Sequence, residues 1–531
     1  MKKGIFALFA LLAPVLTFAQ EVVEKGIDEK IDEAFKPISD AISGVIFYPE
    51  PFFNAPIVLI LLVGSALFFT IYFGFPNFRY FGKAINVVRG KYDEIDHHQA
   101  ASELAVDGDI KDTIKDESQE GEVTHFQALA TAVSGTVGNG NIAGVALAIA
   151  LGGPGATFWM IVCGLLGMST KFVECTLGVQ YRDVGEDGTI YGGPMYYITK
   201  GLKEKGFKTL GKITAVFFAV FCIGGSFGGG NAAQSNQATI VLKELMGLES
   251  AGAGFWIGVV LAVLVGIIII GGIKRIASVT EKVVPFMAGM YLIACLYIIL
   301  SNFSLIDDAI SLIFAEAFTP TAMGVGGLIG VLLVGFKRAA FSNEAGAGSA
   351  SIAHSAVRTK YSASEGLVAL LEPFIDTVVI CTMTALVIII FNFGGAFEYG
   401  GSGSVLIDGV SYEGAGITSK AFAEYIPYSN IFLTIAVVLF AVSTMISWSY
   451  YGLQSWKFLF GRGRVADLTY KLLFLTFVVI GAAASMKSIW DFSDAMIFAM
   501  VFPNMIGLFF LFPVVKKQLA RYLGDIKKAG L

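Results

Sequence analysis

The sequence predicts an all-α polytopic membrane protein, and three observations support this fold class. Apolar residues make up 55% of the 531 residues and charged residues only 15%, whereas a soluble domain carries about 25% charged residues. The mean hydropathy is +0.71. Apolar runs of about 20 residues, the length that a bilayer core requires, recur along the chain. A soluble globular protein is therefore excluded, and a net charge of -5 without a basic patch argues against nucleic-acid binding.

The N-terminal segment has the pattern of a targeting signal. Two lysines precede an apolar stretch over 4–16, and the small residue Ala19 follows it. The alternative, an uncleaved transmembrane helix, is disfavoured because the stretch is short and contains Pro14. We therefore expect a signal peptide over 1–19 and a polar, acid-rich external arm over 20–52.

Eleven apolar segments after the arm are long enough to cross a membrane. We number them spans 1 to 11 in chain order, and their predicted bounds are 53–75, 125–150, 155–180, 211–241, 252–272, 281–301, 322–356, 364–393, 430–454, 468–485 and 492–515.

The distribution of Lys and Arg predicts the orientation of these spans. If the arm lies outside, the six connections on the inside contain 28 of the 37 basic residues. This is the asymmetry that the positive-inside rule requires. We therefore expect a multi-pass protein of the cell (inner) membrane with its mature N-terminus outside and a cytoplasmic tail over 516–531.

Spans 2 and 7 are interrupted by glycine and polar residues, at 134–144 and 341–349. Glycine weakens a helix interior by roughly 1 kcal/mol relative to alanine. Unpaired backbone groups are tolerated at membrane depth only where they line a polar cavity. Close packing of small residues would explain the glycines but not the asparagine and glutamate side chains among them. Both spans are therefore predicted to be discontinuous helices around a binding site.

The two interrupted spans occupy matching positions in the chain. Span 2 opens a set of five spans over 125–301, and span 7 opens a second set over 322–515. Because five is odd, the second set is inverted relative to the first. Two inverted five-helix repeats, each opening with a broken helix, describe the LeuT-type architecture. The span at 53–75 is then one extra N-terminal transmembrane helix.

Seven short sequence motifs, in order along nearly the whole mature chain, resemble the alanine or glycine:cation symporter family. One is Gly138-Asn139-Gly140-Asn141 with the residues that follow it. The complete set lies at 126–146, 150–156, 191–198, 271–276, 341–346, 374–377 and 448–452. The chain departs from the family pattern at Asn139, where threonine is usual, and at 371–373, where a less polar stretch is expected.

The resemblance implies sodium-driven import of a small neutral amino acid, namely alanine, with glycine or D-alanine as further candidates. A proton-coupled carrier of the same substrates is the alternative, and an ion channel is a further one. The implied partners are the amino acid, sodium as the coupling ion and the lipid bilayer, with no cofactor. An enzyme is not expected, because an intramembrane protease would need a nucleophile with a histidine or a paired aspartate as its partner, and no histidine lies clearly in the middle of a span. The sequence leaves the oligomeric state open.

The resemblance also implies which residues bind. A zwitterion needs positive half-helix ends and backbone N–H groups at its carboxylate, and oxygens at its ammonium. The implied substrate residues are Gly138, Asn139, Gly140, Asn141, Gln234, Phe341, Ser342, Asn343, Thr444 and Trp448. Sodium prefers oxygen ligands, as other hard cations do. The implied sodium residues are Gly135, Thr136, Ser443 and Thr444.

Charged residues within the spans need partners. Lys171 and Glu174 are three apart, so they are expected to pair on one helix face. Glu344 and Asp376 lie in family motifs and are candidates for a gating or structural charge. The basic pair 337–338 is expected either to extend toward the membrane surface or to pair with these two carboxylates.

Overall fold

The computed structural model describes residues 27–50, 55–97, 121–185, 188–248, 250, 252–318, 327–401 and 403–531. Among these residues the chain is α-helical apart from two small antiparallel hairpins. The predicted signal peptide at 1–19 and the first residues of the arm lie outside the described residues. So do the first residues of spans 1 and 7.

The helices of the first half include the arm and the first broken helix. They are α1 (Ile27–Ile46), α2 (Ile57–Tyr72), α3 (Pro76–Arg79), α4 (Phe81–Val88), α5 (Asp93–His97), α6 (His125–Thr136), α7 (Val145–Gly152), α8 (Gly155–Gln180), α9 (Pro194–Glu204), α10 (Lys208–Phe227), α11 (Ala233–Met246), α12 (Ala253–Ile269) and α13 (Gly272–Ser301). Turns of π-helix at Gly140–Gly144 and Gly228–Ala232 lead into α7 and α11, respectively. The hairpin of β1 (Asp183–Val184) and β2 (Ile190–Tyr191) follows α8.

The second half contains the second broken helix and a longer hairpin. Its helices are α14 (Ile306–Phe318), α15 (Gly327–Asn343), α16 (Ala350–His354), α17 (Ser362–Ala369), α18 (Leu371–Pro373), α19 (Thr382–Asn392), α20 (Ala415–Tyr425), α21 (Ser429–Phe460), α22 (Arg464–Ala483) and α23 (Met486–Lys528). A π-helical stretch at Phe374–Cys381 joins α18 to α19. Strands β3 (Ser404–Ile407) and β4 (Val410–Glu413) form an antiparallel pair in which Val405 lies opposite Tyr412.

Apolar helices of membrane-spanning length confirm the predicted fold class. Among the described residues, seven helices are long and apolar enough to cross a bilayer, and a bent pair makes eight. Two shorter apolar helices, α2 and α12, add to these. Each of the eleven predicted spans contains a helix, and the helices of spans 2 and 7 are broken. The chain is thus a LeuT-type, all-α membrane protein, whereas the number of spans stays a prediction.

The first broken helix is bent by 51° between α6 and the helix that begins at Gly140. A capping box of Thr124 and Gln127 starts α6. At the break the side-chain oxygen of Asn141 accepts the N–H of Gly138 at 2.9 Å, in place of a helical carbonyl. An asparagine therefore stabilises the interruption that the sequence predicts.

The second break separates α15 from α16. Asn343 Oδ1 accepts the N–H of Ala345 at 3.0 Å, which turns the chain out of the helix. Gly346 and Gly348 have φ of +96° and +85°, and Glu344 has φ of +54°. Glycine adopts such backbone angles without strain, so the glycines here serve the turn.

The arm forms a helix that packs against the last helix of the chain. The rings of Phe35 and Phe492 lie 5.1 Å apart, edge to face. The Ser39 hydroxyl donates to the carbonyl of Ser488 at 2.7 Å. Helix α23 itself runs to Lys528. The helix of the last predicted span therefore continues beyond residue 515 into the predicted tail.

Candidate substrate and ion site

The two helix breaks meet in the interior of the protein. A methyl group at Gly140 would lie 3.6 Å from Ser342 Cα and 3.7 Å from the Phe341 ring. The polar residues of both breaks are buried, with exposures of 5% or less. Burial inside a bilayer would be costly for these groups unless they bind one another or a ligand.

One carboxylate joins the two breaks. Asp376, in the π-helical stretch before α19, accepts a hydrogen bond from Asn141 Nδ2 at 2.7 Å. Ser342 Oγ donates to the same carboxylate at 2.9 Å, and Thr377 Oγ1 donates at 2.7 Å. All of these donors are neutral, and no salt bridge to Asp376 is formed by the described basic residues. A buried anion held in this way favours a cation nearby.

Gln234 of α11 also forms hydrogen bonds with the first break. Its Oε1 accepts the N–H of Asn139 at 2.9 Å, and its backbone carbonyl accepts Asn139 Nδ2 at 3.2 Å. The Gln234 amide donates to the carbonyl of Gly229 at 2.9 Å. Asn139 Oδ1 is buried and has no hydrogen-bond partner among the described residues. This oxygen is a candidate acceptor for a ligand.

The sodium residues implied by the sequence lie where α21 crosses the end of α6. Thr444 Oγ1 donates to the carbonyl of Ser134 at 3.0 Å. The Ser134 hydroxyl donates to the carbonyl of Ser443 at 2.8 Å. Hydroxyl and carbonyl oxygens of both helices are therefore close together, as a sodium site requires.

Two of the implied sodium ligands are oriented differently from Thr444. The Thr136 hydroxyl donates back to the carbonyl of Ala132 at 3.2 Å, within its own helix. The Ser443 hydroxyl donates to the carbonyl of Phe440 at 3.0 Å. The backbone carbonyl of Gly135 accepts the indole N–H of Trp448 at 3.2 Å. Thr444 is thus the residue whose hydroxyl contacts the end of α6 directly.

Trp448 connects the first break to the second. Its indole N–H also donates to Glu344 Oε1 at 2.9 Å. The other oxygen of Glu344 accepts the hydroxyl of Ser349 at 2.5 Å. The indole ring packs on α10, where a methyl group at Gly225 would lie 3.4 Å from it. Glu344 is therefore a hydrogen-bonded group beside Trp448.

Phe341 is covered on one face by a second aromatic ring. It stacks on Trp490 of α23 at 5.1 Å between centroids. The guanidinium of Arg338 lies 5.4 Å from both ring centroids.

Arg338 forms an ion pair with Asp494, and Lys337 lies 2.8 Å from the same carboxylate. The suggestion that this basic pair neutralises Glu344 or Asp376 is wrong, because α23 supplies a nearer carboxylate.

Both polar atoms of the Asn343 side chain form hydrogen bonds within the protein. Its amide nitrogen donates to Thr377 Oγ1 at 2.9 Å, while its oxygen makes the turn that ends α15. The second break is thereby tied to the same stretch that contains Asp376.

The expected pairing of Lys171 with Glu174 is wrong. Lys171 Nζ lies 3.0 Å from Glu372 Oε1, and both side chains are fully buried. Glu174 instead accepts the amide of Asn504 at 2.6 Å. A spacing of three residues on one helix allows Lys171 to reach Glu174. Glu372 on the neighbouring α18, however, contacts the lysine directly. The polar residue at 372, a departure from the family pattern, is the partner of this lysine.

Two histidines went unassigned in the sequence. His125 begins α6, His354 ends α16, and both contact Glu365 of α17. Their positions at the ends of the two broken spans were visible in the sequence. The carboxylate between them depends on how α17 packs.

A buried polar site between two broken helices, in a chain of apolar spans, is typical of a secondary transporter. The family model described as the sodium:alanine symporter family matches residues 39–530. The chain therefore belongs to this family, whose members carry out cation-coupled symport of amino acids.

Two relatives that match along nearly their full length agree with this membership. The sodium/alanine symporter AgcS of Methanococcus maripaludis is 38% identical over 474 residues, which are 89% of this chain and 95% of the relative. The amino-acid carrier protein AlsT of Bacillus subtilis is 34% identical, over 91% and 94% of the two chains. The crystal structure of MhsT in complex with L-phenylalanine covers 76% of this chain and 100% of its own, at 12% identity and a TM-score of 0.47.

Proposed function

We propose that this protein imports alanine, and secondarily glycine or D-alanine, together with sodium. One observation carries the proposal: both helix breaks converge on a buried polar site whose two carboxylates, Asp376 and Glu344, form no ion pair with the described basic residues. The name of the Methanococcus maripaludis relative, a sodium/alanine symporter, supports the choice of substrate and ion.

The substrate lies between the breaks in this proposal. The half-helix that begins at Gly140 directs its positive end and its N–H groups toward the substrate carboxylate. Asn139 Oδ1, which has no partner among the described residues, accepts a hydrogen bond from the ammonium group. Asp376 acts as a positioning residue, because it holds Asn141 and Ser342 together across the site.

Sodium binds between α6 and α21. The carbonyls of Ser134 and Gly135 and the hydroxyl of Thr444 supply oxygen ligands, with Ser443 and Thr136 beside them. Binding of the ion at the break ties α21 to α6, since both helices contribute ligands. This linkage couples the ion to the substrate, whose site is formed by the same break.

A proton is the second candidate for the coupling ion. The specific observation in its favour is that Glu344 and Asp376 are buried carboxylates whose contacts are all neutral donors. A channel is less well supported, because the residues of both breaks are closed to solvent. The proposal includes the orientation that the basic residues predict, with the C-terminus in the cytoplasm. It also includes the two five-helix repeats at 125–301 and 322–515.

The proposal is tested with purified protein in liposomes. Labelled alanine uptake is measured with an inward sodium gradient, with an inward proton gradient, and with neither. We expect uptake with sodium alone and counterflow when unlabelled alanine is loaded inside. Uptake that follows only the proton gradient would replace sodium by the proton, and flux without counterflow would indicate a channel.

The ion site is tested by Thr444→Ala. Loss of one charged hydrogen bond or ligand contact weakens binding by about 1.5–3 kcal/mol, so the sodium concentration for half-maximal uptake rises by about 10- to 150-fold. The control is Thr476→Ala on α22, whose exposed hydroxyl donates only to its own helix at Leu472. An unchanged sodium dependence in a folded Ser443→Ala, Thr444→Ala double variant excludes α21 from the ion site.

A further inference from the structure

A single carboxylate connects the ends of both broken helices. Glu365 of α17 contacts Nδ1 of His125, the first residue of α6, through one oxygen. Its other oxygen lies 2.5 Å from Nδ1 of His354, the last residue of α16. Three separate elements are thus joined at one residue. We call Glu365, His125 and His354 the histidine–glutamate cluster.

The cluster is buried. Glu365 and His354 are fully enclosed, and His125 is 5% exposed. An ionised carboxylate in such surroundings requires hydrogen-bond donors, and the two imidazoles provide them. Imidazole is the side chain that gains and loses a proton between about pH 5 and 8. The two imidazoles are therefore the groups through which the cluster gains or loses protons.

The neighbouring helices bring further charges to the cluster. His354 Nε2 lies 3.7 Å from Glu372 Oε2, and Glu372 is paired with Lys171. A second proton on His354 would thus face a carboxylate. Ionisable groups on the elements packed around the cluster include Lys83 of α4, Lys171, Glu174 and Cys175 of α8, Glu281 of α13, Glu372 of α18, Tyr451 of α21 and Asp525 of α23.

A cavity borders the cluster at His125. A space of about 410 Å³ is lined by His125 together with Asp93, Glu122 and Arg358. Asp93 and Glu122 belong to the connection that precedes α6, and Arg358 belongs to the connection that follows α16. By the distribution of basic residues, both connections are on the cytoplasmic side. His125 is the member of the cluster that lines this space.

We propose that the histidine–glutamate cluster is a proton-binding site that holds the two broken helices together at this end of the protein. The proposed transport cycle requires this end to open when substrate is released inside, so the proposal rests on the proposed function in that one respect. Opening separates α6 and α16 from Glu365. Protons from the cytoplasm therefore regulate the opening.

The direction of the effect follows from linkage. A hydrogen bond from an imidazolium to a carboxylate is stronger than one from a neutral imidazole. The closed arrangement, in which both imidazoles contact Glu365, consequently binds protons more tightly than the open one. Proton binding must then stabilise the closed arrangement by the same factor. Acid conditions close this end, and alkaline conditions release it.

Hydrogen exchange of the full-length protein tests the cluster without any substrate. Exchange at His125–Thr136 and Ala350–His354 is measured from about pH 5.5 to pH 8.5, the range in which histidine titrates, and corrected for intrinsic amide rates. We expect at least about threefold stronger protection at the acid end in the unmodified protein. Glu365→Gln should abolish this difference. Equal pH dependence in both proteins would overturn the proposal.

Two further variants guard against misfolding and indirect effects. His354→Gln keeps a hydrogen-bond donor but removes one titrating group, so it should also flatten the pH dependence. Glu281→Gln is the matched control, because Glu281 accepts the amide of Gln127 near the start of α6 at 2.9 Å without contacting either histidine. A control that behaved like Glu365→Gln would also overturn the proposal.

Transport supplies the second readout. With external pH fixed, alanine uptake into liposomes should be slower at a lumenal pH of about 5.5 than at about 8, and Glu365→Gln should remove the difference. Uptake in the unmodified protein that ignored lumenal pH would count against regulation of opening. If no alanine uptake occurred under any gradient, the proposed function would be wrong. The hydrogen-exchange experiment would still test the histidine–glutamate cluster.

Discussion

Gly138 lies where the first break contacts two other helices, and no larger residue fits there. A methyl group at this position would lie 2.5 Å from Thr444 Oγ1 and 3.0 Å from Gln234 Oε1. Both of these atoms are fixed by hydrogen bonds to the first broken helix. The glycine is therefore required by close approach of side chains, and its φ is not in the left-handed region.

Gly138→Ala should consequently impair transport. Overpacking costs about 1–3 kcal/mol, which corresponds to a fall in uptake of about 5- to 150-fold. Gly289→Ala is the control, since a methyl group on this glycine of α13 meets nothing within 4 Å. The measurement is initial alanine uptake at equal protein content. A Gly138→Ala protein with normal uptake would contradict the close packing of the break.

Trp448 is predicted to limit the size of the substrate side chain. It is fully buried and hydrogen-bonded to both breaks, so its ring is fixed in place. Trp448→Ala should weaken alanine binding and allow valine to compete better, with a shift in preference of about 10- to 200-fold. Competition against labelled alanine measures this shift, with Trp256→Ala, at a site 67% exposed, as the control.

The outcomes for Trp448 are distinguishable. Equal loss for every substrate would make this residue a packing or gating group. An unchanged size ranking with normal alanine affinity would mean that it does not contact the pocket. Trp448→Phe separates the ring from its N–H group, because phenylalanine keeps an aromatic ring but cannot donate to Glu344.

Helices α15 and α23 are connected by a buried ion pair. Asp494 contacts Arg338 and lies 2.8 Å from Lys337, and the guanidinium also covers Phe341 and Trp490. The aromatic stack at Phe341 borders the first break at Gly140. One carboxylate of α23 therefore fixes the half-helix that precedes the second break.

Asp494→Asn should destabilise this contact strongly. Removing one partner of a buried pair costs about 3–5 kcal/mol, so the Tm in detergent should fall clearly. The control on the same helix is Asp491→Asn, whose pair with Lys487 is exposed and is worth about 0–1 kcal/mol. Equal Tm values for the two variants would show that the pair does not hold α15 against α23.

The membrane orientation of the whole molecule can be measured by cysteine labelling. Val410 in β4 and Val465 in α22 are both exposed, and the five native cysteines are buried. The basic residues predict that Val410→Cys is labelled from outside and Val465→Cys only from inside. An impermeant maleimide on intact cells and on inverted vesicles checks both. Labelling of position 465 from outside would contradict the orientation.

The sequence by itself determined the fold class and the places where helices break. Hydropathy, basic-residue bias and glycine content are local properties, and each is summed over a stretch of neighbouring residues. The motifs also identified the family before any contact was known. The interruptions at 134–144 and 341–349 are found as predicted, because asparagine and glycine alter the backbone of their own turn.

The tertiary structure alone decided which charges pair. Lys171 contacts Glu372, 201 positions away, instead of Glu174 on the same helix face. Arg338 contacts Asp494, 156 positions away. Glu365 joins two histidines that are far apart in the chain. A buried charge takes the partner that helix packing brings nearest, and packing depends on the whole arrangement of spans, which no local pattern contains.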